Sequence, residues 1–423
     1  MDPRPEMKIL FVNSVDQGGG AAAVARRLFE RTVRDGHDSI FVAGWKHGKN
    51  ARILPVHSRS LVGKVRNKLT TWVEEGTGYQ YVLREGIRWF DRRGLLDDVD
   101  LVHLHNSHGE YLHFDFLAQV ARKKPFVWTL HDEWGNTGHC AYTMDCERWR
   151  EGCGECPYPG TYPKIHRDTT RVLWDRKRRN ALLFRNKGHL VVPSRWLEER
   201  VRKGLLKDVP MSLIPNGVDT DIFHPREIKA VRQKLGIPQD RPVLLFAAHG
   251  GHANPFKGFG YLMEAIRVLR GDANSPFLVS IGNRESGDFS GMGMAGVAVG
   301  PIRDEATMAD YFSAADCYLL PSVADNSPLV IFESLACGTP VAAFAVGGIP
   351  EAVREGETGT LAPAGDPKAL ADAVRRILRL DPERKERMRR TCMETVLGTQ
   401  HDFEKHYAAY MDLYRKVVEG TLP

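Results

Sequence analysis

Two acidic residues stand at the ends of the segment 325–333, on either side of a predicted helix start. Ser327 is a favoured N-cap residue and Pro328 a favoured first helical residue. We therefore expect the backbone N–H groups of Leu329 and Val330 to stay unpaired at the positive end of the helix dipole. A phosphate or pyrophosphate group binds well at such a position.

The two acids suit the sugar parts of the same ligand. Glu333 follows Leu329 by one helical turn, so its carboxylate lies on the same face and can accept from the two hydroxyls of a ribose. Asp325, with Asn326 beside it, precedes the helix and can hold the hydroxyls of a second sugar beyond the phosphates. This pattern is typical of a nucleotide-sugar site, and the alternative is an ordinary capped helix with a buried Glu.

The segment also resembles the Glu-x7-Glu signature of retaining glycosyltransferases of family 4, with Asp325 in place of the first Glu. Other pieces match that family in order and spacing, at residues 193–196, 214–219 with 223–225, 257–258, 315–316 with 321–322, and 347–351. Each piece alone is common, but the set predicts both fold and reaction class. The resemblance implies the α/β GT-B architecture, in which two Rossmann-like domains face a cleft and a C-terminal helix crosses back to the first.

Length and composition agree with this expectation. At 423 residues the chain exceeds one typical core, so we expect two domains of roughly 200 residues each. No apolar run approaches the roughly 20 residues of a membrane span, and the N-terminus does not resemble a signal peptide, so we expect a cytoplasmic protein. The net charge of +6 is mild. It favours an acidic ligand or peripheral association with the inner face of a membrane, and not nucleic-acid binding.

Short apolar strands alternate with helices along the chain. Strands are expected at 8–13, 39–43, 101–105, 125–130, 190–192, 243–246, 277–281, 317–320 and 341–344, and helices at 21–36, 260–270, 304–315 and 366–380. Near-continuous apolar strands separated by helices predict parallel sheets. We therefore predict an acceptor-binding domain over 1–216, a nucleotide-sugar-binding domain over 217–400, and a helix, 401–423, that packs back on the first domain.

Ligands of open parallel sheets bind at the carboxyl ends of the strands. Lys257, before a helix, can contact a diphosphate there as a point charge. The family usually carries an Arg about five residues earlier, where this chain has His252. A histidine, Arg284 or another basic group replaces that contact, or phosphate binding rests on Lys257 and the helix amides. Ile302 lies in a turn that corresponds to the family's base-binding loop, and it does not distinguish a UDP-linked from a GDP-linked donor.

The first domain carries the acceptor-side candidates. His105 matches the histidine that the family places beside the transferred sugar, although a lone strand histidine is more often structural. His103 precedes it by two positions, and we expect the two side chains to face opposite sides of the sheet. His131 and Asp132 close the next strand. A glycine run between the first strand and helix resembles the family's acceptor-side loop, where small residues permit close ligand approach; it consists of Gly18, Gly19 and Gly20.

The resemblance implies a mechanism. Lys257 and the helix amides stabilise the leaving diphosphate, which takes the acceptor proton, so no catalytic metal is expected. His105, Lys257 and Asp325 are the residues expected to act in catalysis, with Asp325 as a sugar-binding group. The alternatives are a GT-B phosphorylase or sugar-phosphate synthase, and a degenerate nucleotide-binding regulatory protein.

A cysteine-rich insert at about 133–163 goes beyond the family core. It contains Cys140, Cys146, Cys153 and Cys156. The Cys-x2-Cys half has metal-ligand spacing, and in a cytosolic protein zinc is favoured over disulfides. A structural zinc site and a reduced loop packed by its thiols are both consistent with this spacing. The insert resembles one in a subgroup of bacterial family 4 enzymes that build surface polysaccharides.

Overall fold

The computed structural model describes residues 6–58, 60–247, 254–272, 274–282 and 293–421. The chain forms two compact units, one of Met1–Ile214 with Tyr407–Pro423 and the other of Pro215–His406. Among the described helices, none combines the length and the apolar character that a membrane span requires.

The first unit contains a seven-stranded parallel sheet in the order β3-β2-β1-β4-β5-β6-β7. Its strands are Lys8–Val15 (β1), Asp38–Trp45 (β2), Ile53–Pro55 (β3), Leu101–Leu104 (β4), Phe126–Thr129 (β5), Gly188–Val192 (β6) and Met211–Leu213 (β7). Its helices are Gly20–Arg34 (α1), Leu61–Thr77 (α2), Ile87–Asp91 (α3), Phe116–Lys123 (α4), Thr170–Phe184 (α5) and Arg195–Arg202 (α6).

The second unit contains a six-stranded parallel sheet in the order β10-β9-β8-β11-β12-β13. Its strands are Val243–Ala247 (β8), Phe277–Ile281 (β9), Gly296–Val299 (β10), Cys317–Leu320 (β11), Val341–Phe344 (β12) and Gly359–Ala362 (β13). Its helices are Ile228–Leu235 (α7), Phe259–Leu269 (α8), Glu305–Ala314 (α9), Leu329–Ala336 (α10), Ile349–Ala352 (α11), Pro367–Leu378 (α12) and Pro382–Val396 (α13). A last helix, Phe403–Glu419 (α14), brings Tyr407–Pro423 into the first unit.

The fold class is confirmed as two Rossmann-like α/β units with parallel sheets. The central strands β4, β5, β11 and β12 are buried along their whole length, because helices cover both faces of such a sheet. The sequence did not predict the strands β3, β7, β10 and β13. These are the edge strands of the two sheets, and none is buried along its whole length as the central strands are, so no unbroken apolar run marks them in the sequence.

Helix α14 is attached to the first sheet by a buried polar chain. The Tyr414 hydroxyl lies 2.7 Å from Nδ1 of His103, and Nε2 of the same histidine lies 2.9 Å from the Thr129 hydroxyl. The Tyr410 hydroxyl lies 2.8 Å from that threonine. Buried polar groups need partners. These hydrogen bonds therefore help to fix the position of α14, in addition to its packing.

Candidate functional site

In the second unit, Lys257 and Asp325 form an ion pair. Lys257 ends a short 3-10 helix, Pro255–Lys257, and its Nζ lies 2.7 Å from Oδ2 of Asp325. The carboxylate is almost buried, with its side chain 9% exposed, whereas that of Lys257 is 26% exposed. Oδ1 accepts from the Asn326 backbone N–H at 3.1 Å. The two residues that the sequence assigned to the diphosphate and to the sugar are therefore in direct contact.

Two glycines allow the loops around this pair to come close. Gly258 has φ 65°, and a Cβ added there would lie 1.8 Å from the backbone oxygen of Pro321. Gly347 has φ 57°, and its added Cβ would lie 1.8 Å from the backbone oxygen of Asp325. Only glycine combines the left-handed conformation with such an approach. Both loops therefore lie in close contact with the segment that follows β11.

Helix α10 begins one residue later than predicted. Pro328 has an extended backbone and is the N-cap residue, with no side-chain capping bond. The assignment of Ser327 as the N-cap was therefore wrong; its backbone oxygen instead accepts from Nδ2 of Asn216 at 2.9 Å. Within the described part of the chain, the backbone N–H groups of Leu329 and Val330 have no acceptor, so the predicted pair of donors is present at the helix start.

Tyr318 lies close enough to the two acids of this segment for both charges to act on it, and the sequence analysis missed it. It lies in the middle of β11, and its hydroxyl donates to the backbone oxygen of Ala247 at 3.1 Å. Burial raises the pKa of Tyr318, and the negative charges of Glu333 and Asp325 raise it further. Both carboxylates therefore act electrostatically on one hydroxyl at the carboxyl end of the sheet. In the sequence, only its polar hydroxyl within an apolar strand distinguishes Tyr318 from the residues around it.

The remaining donor-side predictions lie around this cluster or outside the described residues. Ile302 lies half-buried between β10 and α9, at the predicted turn. His252 and Arg284, the candidates for the second phosphate contact, fall outside the described residues. We call Lys257, Asp325, Asn326, Glu333 and the start of α10 the donor cluster.

In the first unit, His105 and His131 are hydrogen-bonded to each other. His105 follows β4, and its Nδ1 lies 2.9 Å from Nε2 of His131, with the rings stacked at 5.2 Å between centroids. The backbone of His105 is fixed on both sides, since its N–H donates to Val12 at 2.9 Å and its oxygen accepts from the Trp128 indole at 2.9 Å. Burial lowers the pKa of His131 to about 4, so this ring is neutral near pH 7.

The expectation that His103 and His105 face opposite sides of the sheet was wrong. Their ring centroids lie 4.1 Å apart, because residues two positions apart in a strand share a face. His103 is fully buried and bonds Tyr414 and Thr129. Its role is structural.

A second pair of hydrogen-bonded side chains adjoins the first. Nε2 of His108 lies 2.7 Å from Oδ2 of Asp132, and its Nδ1 lies 3.3 Å from the Tyr162 hydroxyl. Burial alone would raise the pKa of Asp132, but the charge and hydrogen bond of His108 lower it below its usual value. The sequence analysis singled out Asp132 but neither partner. We call His105, His108, His131, Asp132 and Tyr162 the acceptor cluster.

The glycine run lies open to solvent at the start of α1. Gly18 and Gly19 have φ 95° and 82°, and Gly18, Gly19 and Gly20 are exposed. Gly19 is the N-cap residue of α1 and provides no side-chain bond. A ligand can therefore approach the backbone closely here, as the prediction requires.

The cysteine-rich insert is attached to the first unit by buried polar contacts, including an ion pair between Glu133 and Arg200. Nε2 of His139 lies 3.2 Å from Sγ of Cys156, and Sγ of Cys153 accepts from the Gly138 N–H at 3.2 Å. Burial raises the pKa of Cys153 to about 11, which favours the protonated thiol.

The four cysteines of the insert are the predicted zinc ligands. Within the described ranges, no group of three or more His, Cys, Asp or Glu side chains is arranged so that it could hold a metal ion. The sulfur of Cys153 contacts a backbone N–H, the sulfur of Cys156 contacts His139, and all seven cysteines are unbridged. Zinc ligation by Cys140, Cys146, Cys153 and Cys156 stays a prediction, and no chemical step depends on it.

Two family models match the chain, one in each unit. Glycosyltransferase Family 4 matches residues 18–222, and Glycosyl transferases group 1 matches residues 241–380. The D-inositol 3-phosphate glycosyltransferases of Mycobacterium tuberculosis and Mycobacterium bovis are 36% identical over 180 residues, which is 40% of this chain and 36% of theirs. The match thus spans little more than a third of the length of these relatives.

Solved structures are similar over nearly the whole chain. Sucrose-phosphate synthase from Thermosynechococcus elongatus has a TM-score of 0.71 and 20% identity, with 98% of this chain and 100% of that chain covered. HepE of Anabaena in complex with UDP-glucose has a TM-score of 0.62 and 16% identity, with 97% and 100% covered. At these identities the likeness shows the fold alone. Glycosyltransferase family models thus match residues 18–222 and 241–380, and the chain shares the GT-B fold of these solved structures.

Proposed function

We propose that this protein is a retaining glycosyltransferase that moves a hexose from a UDP- or GDP-linked donor to a carbohydrate or lipid-linked carbohydrate. The observation that carries the proposal is the Lys257–Asp325 pair, 2.7 Å apart, just ahead of the start of α10. A cation and two backbone donors suit the diphosphate of a nucleotide sugar, and two carboxylates in the same unit suit the hydroxyls of its two sugars.

Donor binding exchanges the partners within this cluster. Without donor, Asp325 is the counter-ion of Lys257. A bound diphosphate takes over the ammonium of Lys257 and the N–H groups of α10, which frees the Asp325 carboxylate to accept from hydroxyls of the sugar. Glu333 accepts from the ribose hydroxyls. The negative charge that develops on the leaving diphosphate then meets preorganised donors, which lowers the barrier to transfer.

The acceptor cluster supplies fixed hydrogen-bonding groups for the attacking sugar. The His105–His131 and His108–Asp132 pairs hold their rings in set orientations at 2.9 Å and 2.7 Å. We propose that these groups orient the acceptor hydroxyl, while the departing diphosphate takes its proton on the face where the new bond forms. Configuration is then retained, and no metal is needed at the phosphates.

We further propose a role in polysaccharide or glycoconjugate biosynthesis, at the inner face of a membrane where lipid-linked acceptors are found. The resemblance of the insert to that of surface-polysaccharide enzymes and the basic net charge of +6 support this setting.

A panel of nucleotide sugars tests the proposal. Each is screened for thermal stabilisation, since a ligand that binds the native state raises stability by mass action, and for slow hydrolysis to the free sugar. We expect one base and one sugar to stand out in both assays, and the anomer released first to keep the donor's configuration by NMR. An inverted anomer would contradict retention, and stabilisation by nucleotides without any cleavage would favour a regulatory protein.

A further inference from the structure

Helix α2 turns its apolar residues to solvent. Leu61, Val62 and Trp72 are 78%, 79% and 73% exposed. Six residues are exposed on this side: Leu61, Val62, Val65, Leu69, Trp72 and Val73. At roughly 100° per residue they fall within an arc of about 120°, which is one continuous stripe along the helix. We call these six residues the apolar stripe.

The opposite, polar side of α2 packs against the protein. Glu74 is buried, and its Oε2 lies 2.7 Å from Nε of Arg84. The other carboxylate oxygen, Oε1, accepts from the Leu83 N–H at 3.0 Å. Thr71 donates to the Glu110 carboxylate at 2.9 Å, and Arg84 also donates to Asn67. The helix is therefore held by hydrogen bonds and an ion pair, in the reverse of the usual orientation of an amphipathic helix.

This orientation calls for a partner on the apolar stripe. Globular proteins rarely leave a contiguous apolar patch in water, and such patches mark sites of protein or membrane contact. Arg84 and the Leu83 N–H donate to the buried Glu74 carboxylate, so this side of the helix has its hydrogen-bond partners within the protein. The stripe is thus available to an external partner without any rearrangement of the fold.

Basic residues border the stripe. Lys64 and Lys68 lie along one edge and Arg66 along the other. Arg66 pairs with Glu85 at 3.2 Å, whereas Lys64 and Lys68 have no ion pair within the part of the chain that the structure describes. Glu75, half-buried, is the acidic residue of α2 on this lysine edge. The edges therefore favour an anionic partner.

We propose that the apolar stripe of α2 docks the protein on an anionic lipid bilayer, with Trp72 and the leucines among the acyl chains and Lys64 and Lys68 at the headgroups. Lysine is depleted in the cores of protein interfaces. Long lysine side chains beside apolar residues and Trp, in contrast, are characteristic of helices that lie in a membrane interface. The inference stands on α2 alone and does not require the proposed sugar transfer.

Vesicle binding by the full chain tests this surface. We expect sedimentation with vesicles of phosphatidylcholine mixed with phosphatidylglycerol, and much weaker sedimentation with phosphatidylcholine alone. The double variant Leu69→Glu/Trp72→Glu should bind at least about tenfold more weakly, because it removes apolar anchors and adds repulsion. The double variant Lys64→Gln/Lys68→Gln should bind the mixed vesicles about thirtyfold more weakly, since each lysine near an anionic surface contributes a factor of about five.

Leu397→Glu is the control for added negative charge, because it places one glutamate, against two in the stripe variant, on an exposed leucine of the other unit. It should bind vesicles as the parent does. Equal binding by Leu69→Glu/Trp72→Glu and Leu397→Glu, or no vesicle binding by the parent, would overturn the proposal. So would a parent dimer that the Leu69→Glu/Trp72→Glu variant dissociates without any effect of lipid, which would assign the stripe to a second copy of the chain. Cleavage of a nucleotide sugar in solution should be equal in all four proteins, which separates this test from that of the proposed function.

Discussion

Asp325 combines two roles that mutation can separate. It is the counter-ion of Lys257 at 2.7 Å, and the proposed function makes it a contact of the transferred sugar. Asp325→Ala should therefore impair transfer from the full donor by at least about tenfold, which is about 1.4 kcal/mol of transition-state stabilisation. Binding of the bare nucleoside diphosphate, measured by calorimetry, should stay the same or become tighter, because Lys257 loses a competing partner. Equal loss of both would assign Asp325 a structural role.

Glu333→Gln should give the opposite pattern. A charged acceptor that bonds two ribose hydroxyls is worth more than a neutral amide, so affinity for the free nucleotide should fall by about tenfold. The same calorimetric titration measures it, with Asp325→Ala as the comparison. An unchanged dissociation constant would remove Glu333 from the donor cluster.

The neutral state of His131 makes a pH-dependent contribution to stability. Burial lowers the pKa of His131 from 6.5 to about 4. Below pH 6.5 the unfolded chain therefore binds this proton before the native protein does. The contribution is fully present above about pH 6.5 and is lost as the pH falls towards 4, at no more than about 1.4 kcal/mol per pH unit. His131→Asn should make the acid limb of denaturant-unfolding free energies shallower, and an identical limb would contradict the assignment.

At the scale of elements, the close approach of loops around the donor cluster depends on glycine. Gly258→Ala should lower the free energy of unfolding by more than about 2 kcal/mol, because the left-handed conformation and the contact with Pro321 both oppose a Cβ. Gly260 is the control, since it lies in α8 with no atom within 4 Å of an added Cβ. Gly260→Ala should be neutral or stabilising by up to about 1 kcal/mol. Equal effects in denaturant unfolding would show that the loop tolerates the change.

Zinc binding by the cysteine-rich insert can be tested directly. It provides Tyr162 to the acceptor cluster, 3.3 Å from His108, so its order bears on acceptor binding. If the thiols bind zinc, elemental analysis should show about one zinc per chain, and its removal should lower thermal stability before it alters donor binding. Cys153→Ser/Cys156→Ser should abolish that zinc. Metal-free protein with four titratable thiols and unchanged stability would establish the reduced loop.

Elements were predictable from the sequence where the apolar run was unbroken, and the positions of side chains were not. The buried strands β1, β4, β5 and β11 were predicted because near-continuous apolar runs are typical of strands in a parallel sheet. The cap at Ser327 was wrong, because Pro328 in an extended conformation occupies the boundary itself. Helix α2 was not predicted, and its exposed apolar residues show that an amphipathic pattern alone does not tell which side of a helix is buried.

Over the whole molecule, each of the two units carries one of the two clusters. The donor cluster lies wholly in Pro215–His406, and the acceptor cluster wholly in Met1–Ile214. Motifs that resemble those of family 4 identified the members of the donor cluster from the sequence, although Lys257 and Asp325 are 68 positions apart and only the structure shows that they form an ion pair. His108 and Tyr162 are 54 positions apart, and only the fold shows that they meet. Long-range pairs of this kind carry no local signal.

The rate of nucleoside diphosphate release from the preferred nucleotide sugar, in the parent and in Lys257→Ala, measures whether the donor cluster acts on a nucleotide sugar. Among the residues that the structure describes, Lys257 is the cation of the donor cluster. Its loss leaves the departing diphosphate without that positive charge. We expect the parent to cleave one donor clearly and the variant to cleave it at least about tenfold more slowly at equal thermal stability. Equal rates in both proteins would contradict the role of Lys257, and no cleavage of any nucleotide sugar by the parent would contradict the proposed sugar transfer.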